Sequence, residues 1–445
     1  MLGTFANMFR IPELRKKILI TLGILIVYRF GCLLPVPGVN VRELARMFES
    51  IAKTPWGNIL GFAAMLSGGA LQRSTVFALG IMPYISATII FQLLTGVIPS
   101  LERLRKEGES GLKKIRQYER YLTVGLCLFQ GFLYIRSLHG MSLRSGTEII
   151  VPQFAAQMTA VIVMATGTMI LMWLGDQITQ FGVGNGISLL IMAGIVSRLP
   201  RGLWDLINAL RTGSANMGTV VFLVVAFVLV VAGVVLITQG QRRIPTQQAK
   251  HTRGRRVYGG QRQYLPFRVN HAGVMPVIFA STLLMFPRMM LQPFSSSSWA
   301  QVITTKVLWM GNWPYILLYI ILIFFFSYFW TSLVFKPKDL SDNLKDYGSF
   351  IPGIRPGRKT AQYLEYIMIR ITLAGGAFLA VIAIIPQLLQ KLMGEQLWVM
   401  ARFYGGTSIL IVVGVALDLV EKIESHLMMR HYEGFMRKGR IRGRR

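Results

Sequence analysis

The chain has 445 residues, 53% of them hydrophobic, yet Lys and Arg outnumber Asp and Glu by 48 to 19, for a formal net charge of +29. Long apolar runs alternate with short basic stretches, which excludes a soluble multidomain protein with charge spread along its length. The two cysteines, Cys32 and Cys127, each lie in an apolar run; they offer no disulfide framework and no metal-ligand spacing, and they read as small packing residues.

In chain order, Arg15, Lys16 and Lys17 precede a first apolar run over about 18–35. It is longer than the apolar core of a signal peptide and no small-residue cleavage site follows, so it reads as a retained membrane span. Residues 59–72 are apolar but too short to cross a membrane; Gly68 and Gly69 interrupt them and Arg73 closes them. On these residues alone the segment is either an interfacial loop or a half-length piece buried in protein at membrane depth. Nine further spans follow at 75–97, 120–137, 154–174, 184–200, 217–237, 273–291, 315–335, 366–386 and 404–420. Most Lys and Arg fall in the N-terminal tail, the 98–119, 238–272 and 336–365 connections and the tail from Glu421. The positive-inside rule then puts both termini in the cytoplasm.

An internal repeat joins spans two and seven. Gly80-Ile-Met-Pro-Tyr-Ile-Ser-Ala-Thr88 and Gly273-Val-Met-Pro-Val-Ile-Phe-Ala-Ser281 share five of nine positions. Span seven comes five spans after span two, an odd step, so the second copy runs the opposite way, as in inverted-topology duplications whose Pro-interrupted segments meet at the working centre. Chance similarity in a Gly- and Ile-rich sequence is the plainer alternative.

Chemistry of the enzymatic kind is missing. Gly353-Ile-Arg-Pro-Gly-Arg-Lys-Thr360 has the wrong glycine spacing for a nucleotide-binding loop, and neither a zinc-protease helix nor a serine elbow occurs. Nearly all Asp and Glu lie outside the spans, with Asp418 the main exception. Proton-driven transporters keep carboxylates at mid-membrane, so the pattern points to a passive conduit powered by a partner. Ile85 and Ile89 lie one helical turn apart, as do Ile187 and Ile191, so each pair shares a helix face; lipid-facing or packing isoleucines show the same spacing. The 238–272 connection holds eight basic residues and no acid, a composition suited to RNA phosphates or an acidic protein surface. Arg355 stands between Pro352-Gly353 and Pro356-Gly357, a turn that would hold one guanidinium in a fixed direction.

Together, Gly68-Gly-Ala-Leu, Phe77-Ala-Leu-Gly-Ile-Met-Pro-Tyr-Ile-Ser86, Lys106-Glu-Gly-Glu-Ser110, Gly184-Asn-Gly-Ile-Ser188, Gly240-Gln-Arg-Arg-Ile244, Asn270-His-Ala-Gly-Val-Met-Pro276, Phe350-Ile-Pro-Gly-Ile-Arg-Pro-Gly357 and Gly405-Gly-Thr-Ser408 carry a resemblance. Over essentially its whole length the sequence resembles the SecY family, the channel subunits of bacterial protein-export translocons. The resemblance implies an all-α membrane protein of about ten transmembrane helices in two pseudo-symmetric inverted halves, 1–205 and 206–430, with a basic cytoplasmic tail over 431–445. It implies a pore ring of Ile85, Ile89, Ile187, Ile191, Ile278 and Ile411, and a re-entrant plug helix over 59–72 that includes Phe62, Ala63, Met65, Leu66, Ser67, Gly68 and Gly69. Spans two, three, seven and eight would form a lateral gate with Ser86, Gln130 and Thr282 on its seam, and Arg243, Arg255, Arg256 and Arg355 would dock a motor or ribosome. The partners it implies are SecE and SecG, the SecA motor ATPase, the ribosome with its RNA, unfolded preproteins with their signal sequences, and membrane lipids. It implies no cofactor and no enzymatic activity, and it places the chain in a bacterial inner membrane in preference to a thylakoid. The rival readings are a secondary transporter and an intramembrane enzyme.

Overall fold

The computed structural model describes residues 11–52, 67–146, 148–213, 216–248, 251–253, 256–258, 262–291, 297–308, 312–393 and 406–438. They belong to two compact units, one of Met1–Ile207, Met289–Ser296 and Val415–Arg445, the other of Asn208–Arg288 and Ser297–Gly414.

The first unit contains α1 (Pro12–Gly31), α2 (Val41–Ala52), α3 (Met82–Val97), α4 (Pro99–Lys106), α5 (Glu109–Ser145), α6 (Phe154–Phe181), α7 (Gly186–Val196) and most of α8 (Leu199–Arg211). α5 packs on α3 and α6, and α6 on α1 and α7. Between α3 and α4 the chain bends by 98°. Pro99 explains the bend: the residue before a proline is driven out of the helical region, and Ile98 is extended at φ −93°, ψ 114°. Asn185 caps α7, its Oδ1 accepting from the amides of Ile187 (3.1 Å) and Ser188 (3.3 Å). The end of the chain returns to this unit. Leu14 of α1, Val183 and Ile423 form one buried cluster, flanked by Ile11, Ile18, Leu419 and Leu427. Beside it Lys17 Nζ lies 3.1 Å from His426 Nε2, while the other ring nitrogen is 2.9 Å from the Lys422 carbonyl.

The second unit contains α9 (Met217–Gln239), strands β1 (Gln241–Gln248), β2 (His251–Arg253), β3 (Arg256–Tyr258) and β4 (Arg262–Arg268), and then α10 (Met275–Leu291) and α11 (Ser298–Val302). It continues with α12 (Trp313–Val334), α13 (Pro337–Asp346), β5 (Ser349–Phe350), α14 (Arg358–Met393) and the start of α15 (Gly406–Lys438). β1 is the middle strand of an antiparallel sheet ordered β4-β1-β5, and β2 pairs with β3 as a separate hairpin. α14 packs along α12 and against α13.

Every expected span coincides with a helix. Among the described residues five are long and apolar enough to cross a membrane unaided (α5, α6, α9, α12 and α14), and the bent pair α3–α4 makes a sixth. The expected boundaries need correction at three places. Residues 75–81 form turns, and the second span begins at Met82. The 98–119 connection is helical, comprising α4 and the first turns of α5; its polar residues hide a helix from a search for apolar runs. Pro83 and Pro276 do not interrupt their helices. Each occupies the first turn, where the missing N–H would have no intrahelical partner.

Candidate functional site

Of the plug residues expected from sequence, Phe62, Ala63, Met65 and Leu66 lie outside the described residues. Ser67, Gly68 and Gly69 are described and turn tightly inside the first unit. Gly68 has φ +62°, and a Cβ there would stand 3.1 Å from the Gly194 Cα on α7 and 3.0 Å from the Tyr28 hydroxyl on α1; a side chain would be strained and crowded at once. Arg29 Nη1 donates to the Gly68 carbonyl (3.3 Å) and to Ser197 Oγ (3.2 Å). Arg198 Nη2 donates to Gln72 Oε1 (3.1 Å). On α5 the wholly buried Tyr134 hydroxyl donates to the Leu71 carbonyl (2.9 Å) and lies 2.6 Å from Ser74 Oγ. Thus α1, α5 and the α7–α8 junction all grip the 67–74 segment. No spacing rule announces these ties, because Tyr134 stands 60 residues from Ser74 and Arg198 126 from Gln72.

Four ring isoleucines belong to the first unit. Ile85, Ile89 and Ile191 are buried and Ile187 is half-buried, so the two i, i+4 pairs keep mostly to the interior. In the second unit Ile278 is half-buried and Ile411 is buried. α10 and α15 approach closely one turn away: a Cβ on Gly414 would come within 2.5 Å of Val274 Cγ2. Apolar β-branched side chains are stiff and offer no hydrogen bonds, a lining past which polar chain can slide. Of the expected gate residues, Ser86 returns its hydroxyl to the Met82 carbonyl (3.0 Å), Gln130 is buried on α5, and Thr282 is buried on α10. The Thr282 hydroxyl is among the few buried polar atoms without a hydrogen-bond partner. Each unit therefore holds part of the expected ring and part of the expected gate.

The repeat has a structural counterpart. Gly80 and Gly273 both sit in the left-handed region, at φ +59° and +62°, two residues ahead of helices that begin Met-Pro. The same backbone device launches α3 in one unit and α10 in the other.

The basic connections form a built platform. Ile244 and Phe267 of β1 and β4 join Ile351, Leu364, Ile367, Met368 and Ile371 in one buried cluster, with Leu340 and Leu344 of α13 packed against it. Alternation along β1 buries Ile244 and Thr246 and turns Arg243 and Pro245 outward; Arg242, at the start of the strand, is exposed as well. Arg355 is exposed on a turn fixed at both ends: Thr360 Oγ1 donates to the Arg355 carbonyl (3.0 Å) and Ser341 Oγ to the Gly357 carbonyl (2.8 Å). Arg256 opens β3 opposite Arg253, and Arg255 lies outside the described residues. Beneath the sheet, half-buried His271 packs edge-on to Phe335; burial and the Arg268 charge push its pKa below the ordinary value.

Asp418 is the exception expected among the spans, and two further carboxylates, Asp176 and Glu119, lie just beyond expected span limits yet on the helices themselves. Asp176 falls on α6, which runs past its expected limit, and accepts from Arg120 Nη2 of α5 (2.7 Å). Glu119 is buried on α5. Asp418 pairs with Lys422 one turn along α15 (3.0 Å). Among the described residues no cluster of His, Cys, Asp or Glu could hold a metal ion.

A SecY family model matches residues 75–420. The chain belongs to the SecY family. The protein translocase subunit SecY of Thermotoga maritima is 43% identical over 99% of both chains. That of Streptomyces coelicolor is 46% identical over 98% of this chain and all of its own. Among solved structures, a protein-conducting channel matches with a TM-score of 0.65 at 18% identity, covering 92% of each chain. A SecY protein whose plug domain stabilises the closed state of its channel matches at 0.62 and 19% identity, again over 92% of each chain. Sec61 from a canine ribosome-channel complex matches at 0.60 and 17% identity, over 92% of each. The chain is thus an all-α membrane protein with the SecY channel fold, a translocase subunit and not an enzyme.

Proposed function

We propose that this chain forms the channel through which unfolded preproteins cross the membrane and from which apolar segments pass sideways into lipid. The observation that carries this reading is near-full-length identity of 43% and 46% with named SecY translocase subunits. The chemistry agrees: the ring isoleucines offer a moving chain no hydrogen bonds. In this reading Ile85, Ile89, Ile187, Ile191, Ile278 and Ile411 form the constriction, and residues 59–72 plug it at rest. Ser86, Gln130 and Thr282 line the gate between an N-terminal half over 1–205 and a C-terminal half over 206–430. Arg243, Arg255, Arg256 and Arg355 receive the driving partner, either the SecA motor ATPase or a translating ribosome. A ribosome-bound relative of the same fold supports the second. SecE and SecG complete the complex. The membrane is the bacterial inner membrane, with both termini and the basic platform in the cytoplasm, as the distribution of Lys and Arg supports.

Proteoliposomes holding this chain and its small partner test the reading. Preprotein should enter them only when motor and ATP, or a translating ribosome, are supplied. Solute uptake or substrate turnover by the reconstituted chain alone would favour a transporter or an enzyme instead.

A further inference from the structure

Two amphipathic helices, α2 and α8, are too short to cross the membrane, and they treat their apolar faces differently. In α2 protein covers the stripe: Leu44 is wholly buried, and Met47 and Phe48 are half-buried. In α8, Leu199, Leu203, Leu206 and Ile207 fall on one face at helical spacing, and none of them is buried. Leu203 is 56% exposed, Ile207 44%, and Trp204 on the flank of the same face 61%. Leaving such side chains in water is unfavourable, so the face calls for an apolar phase that the described residues do not supply.

Connectivity says where that phase lies. α8 follows α7 and, after the short connection 212–216, leads into α9, which is apolar enough to cross the membrane over Val220–Gln239. The far end of α9 runs into β1 and the basic sheet. α8 therefore leads into the end of α9 opposite the one that enters β1. The segments it joins present apolar side chains outward at this end: Val196 at the end of α7, and Val221, Phe222, Val224 and Val225 at the start of α9. With 13 residues, α8 is about 20 Å long and cannot span a hydrocarbon core of about 30 Å. Tryptophan at its margin suits the headgroup level.

We propose that α8 is an in-plane membrane anchor. It lies in the phospholipid interface on the side opposite the basic sheet, with Leu203 and Ile207 among the upper acyl chains and Trp204 at the headgroups. Its partner is the lipid surface itself.

The test uses the full chain with its native partner subunits, in liposomes of phosphatidylethanolamine and phosphatidylglycerol. In a Cys32→Ala, Cys127→Ala background, single cysteines at Leu203, Ile207 and Asn208 carry an environment-sensitive fluorophore. Labels at 203 and 207 should be blue-shifted, quenched by nitroxide-bearing lipid and protected from aqueous iodide, whereas the label at 208 should stay open to iodide. Equal iodide quenching at all three positions would overturn the proposal, because the face would then be in water. Protection of 203 and 207 from both quenchers would overturn it too, because protein would then cover the face.

Discussion

Single hydroxyls and methyls hold the resting state in distinct ways. The Tyr134 hydroxyl is fully buried and serves both the Leu71 carbonyl and Ser74. Tyr134→Phe leaves those two groups without it, at a cost of about 1–3 kcal/mol. The 67–74 segment should loosen while the surrounding helices keep their packing, so planar-bilayer recordings should show more ion leakage at rest; resting conductance equal to wild type would sink the plug-anchoring role. In the proposed constriction the isoleucines would work by excluding water. Ile411→Asn puts a hydrogen-bonding amide where a buried methyl surface now lies, and a constriction that gates by dewetting should wet more easily. Precursors with weakened signal sequences should then be exported more readily, an effect that Ile26→Asn, at an exposed position of α1, should not reproduce.

At the scale of elements, the two Met-Pro helix starts make a matched pair with one difference. A Cβ on either preceding glycine meets the left-handed penalty of about 1–2 kcal/mol. At Gly80 it would also stand 3.3 Å from Ser67 Cβ, whereas at Gly273 nothing lies within 4 Å. Gly80→Ala should therefore lower the thermal midpoint more than Gly273→Ala does, and it alone should raise resting leakage, since Ser67 belongs to the proposed plug. Equal effects of the two substitutions on both measurements would contradict this account. These elements also show what could be read in advance. Apolar runs marked every span, and the repeated Gly-x-Met-Pro pointed to equivalent starts, because both signals are local. The helical character of 98–119 did not show, since Arg103, Arg105 and Lys106 break any apolar run. Nor did the sheet, in which Ile244 and Thr246 face a core contributed by residues a hundred positions away. The grip of Tyr134, Arg29 and Arg198 on the plug segment depends on long-range packing, which no window of sequence contains.

For the whole molecule, the platform in its proposed docking role would couple the channel to its driving partner. Arg355 is held by a turn anchored through Thr360 and Ser341, so its guanidinium projects from a supported point. Arg355→Glu should leave insertion and partner binding intact yet abolish preprotein transport into inverted membrane vesicles. Arg355→Lys should fall between, keeping charge but losing the planar fork. Arg243→Glu should be milder, because Arg242 beside it is also exposed. Normal transport by Arg355→Glu at normal protein levels would remove the docking role.

The cluster of Leu14, Val183 and Ile423 carries a consequence for biosynthesis. A chain made from its N-terminus produces Lys17 and then, 409 residues later, its neighbour His426. At about 5–20 residues per second that delay is roughly 20–80 s. Through this interval Leu14, Ile11 and Ile18 have Val183 but lack Leu419, Ile423 and Leu427, and the corner closes only when the last helix arrives. The newborn chain therefore needs shelter at its first helix for most of its own synthesis, and premature termination before α15 leaves a product whose beginning, as well as its end, is exposed to quality-control proteases.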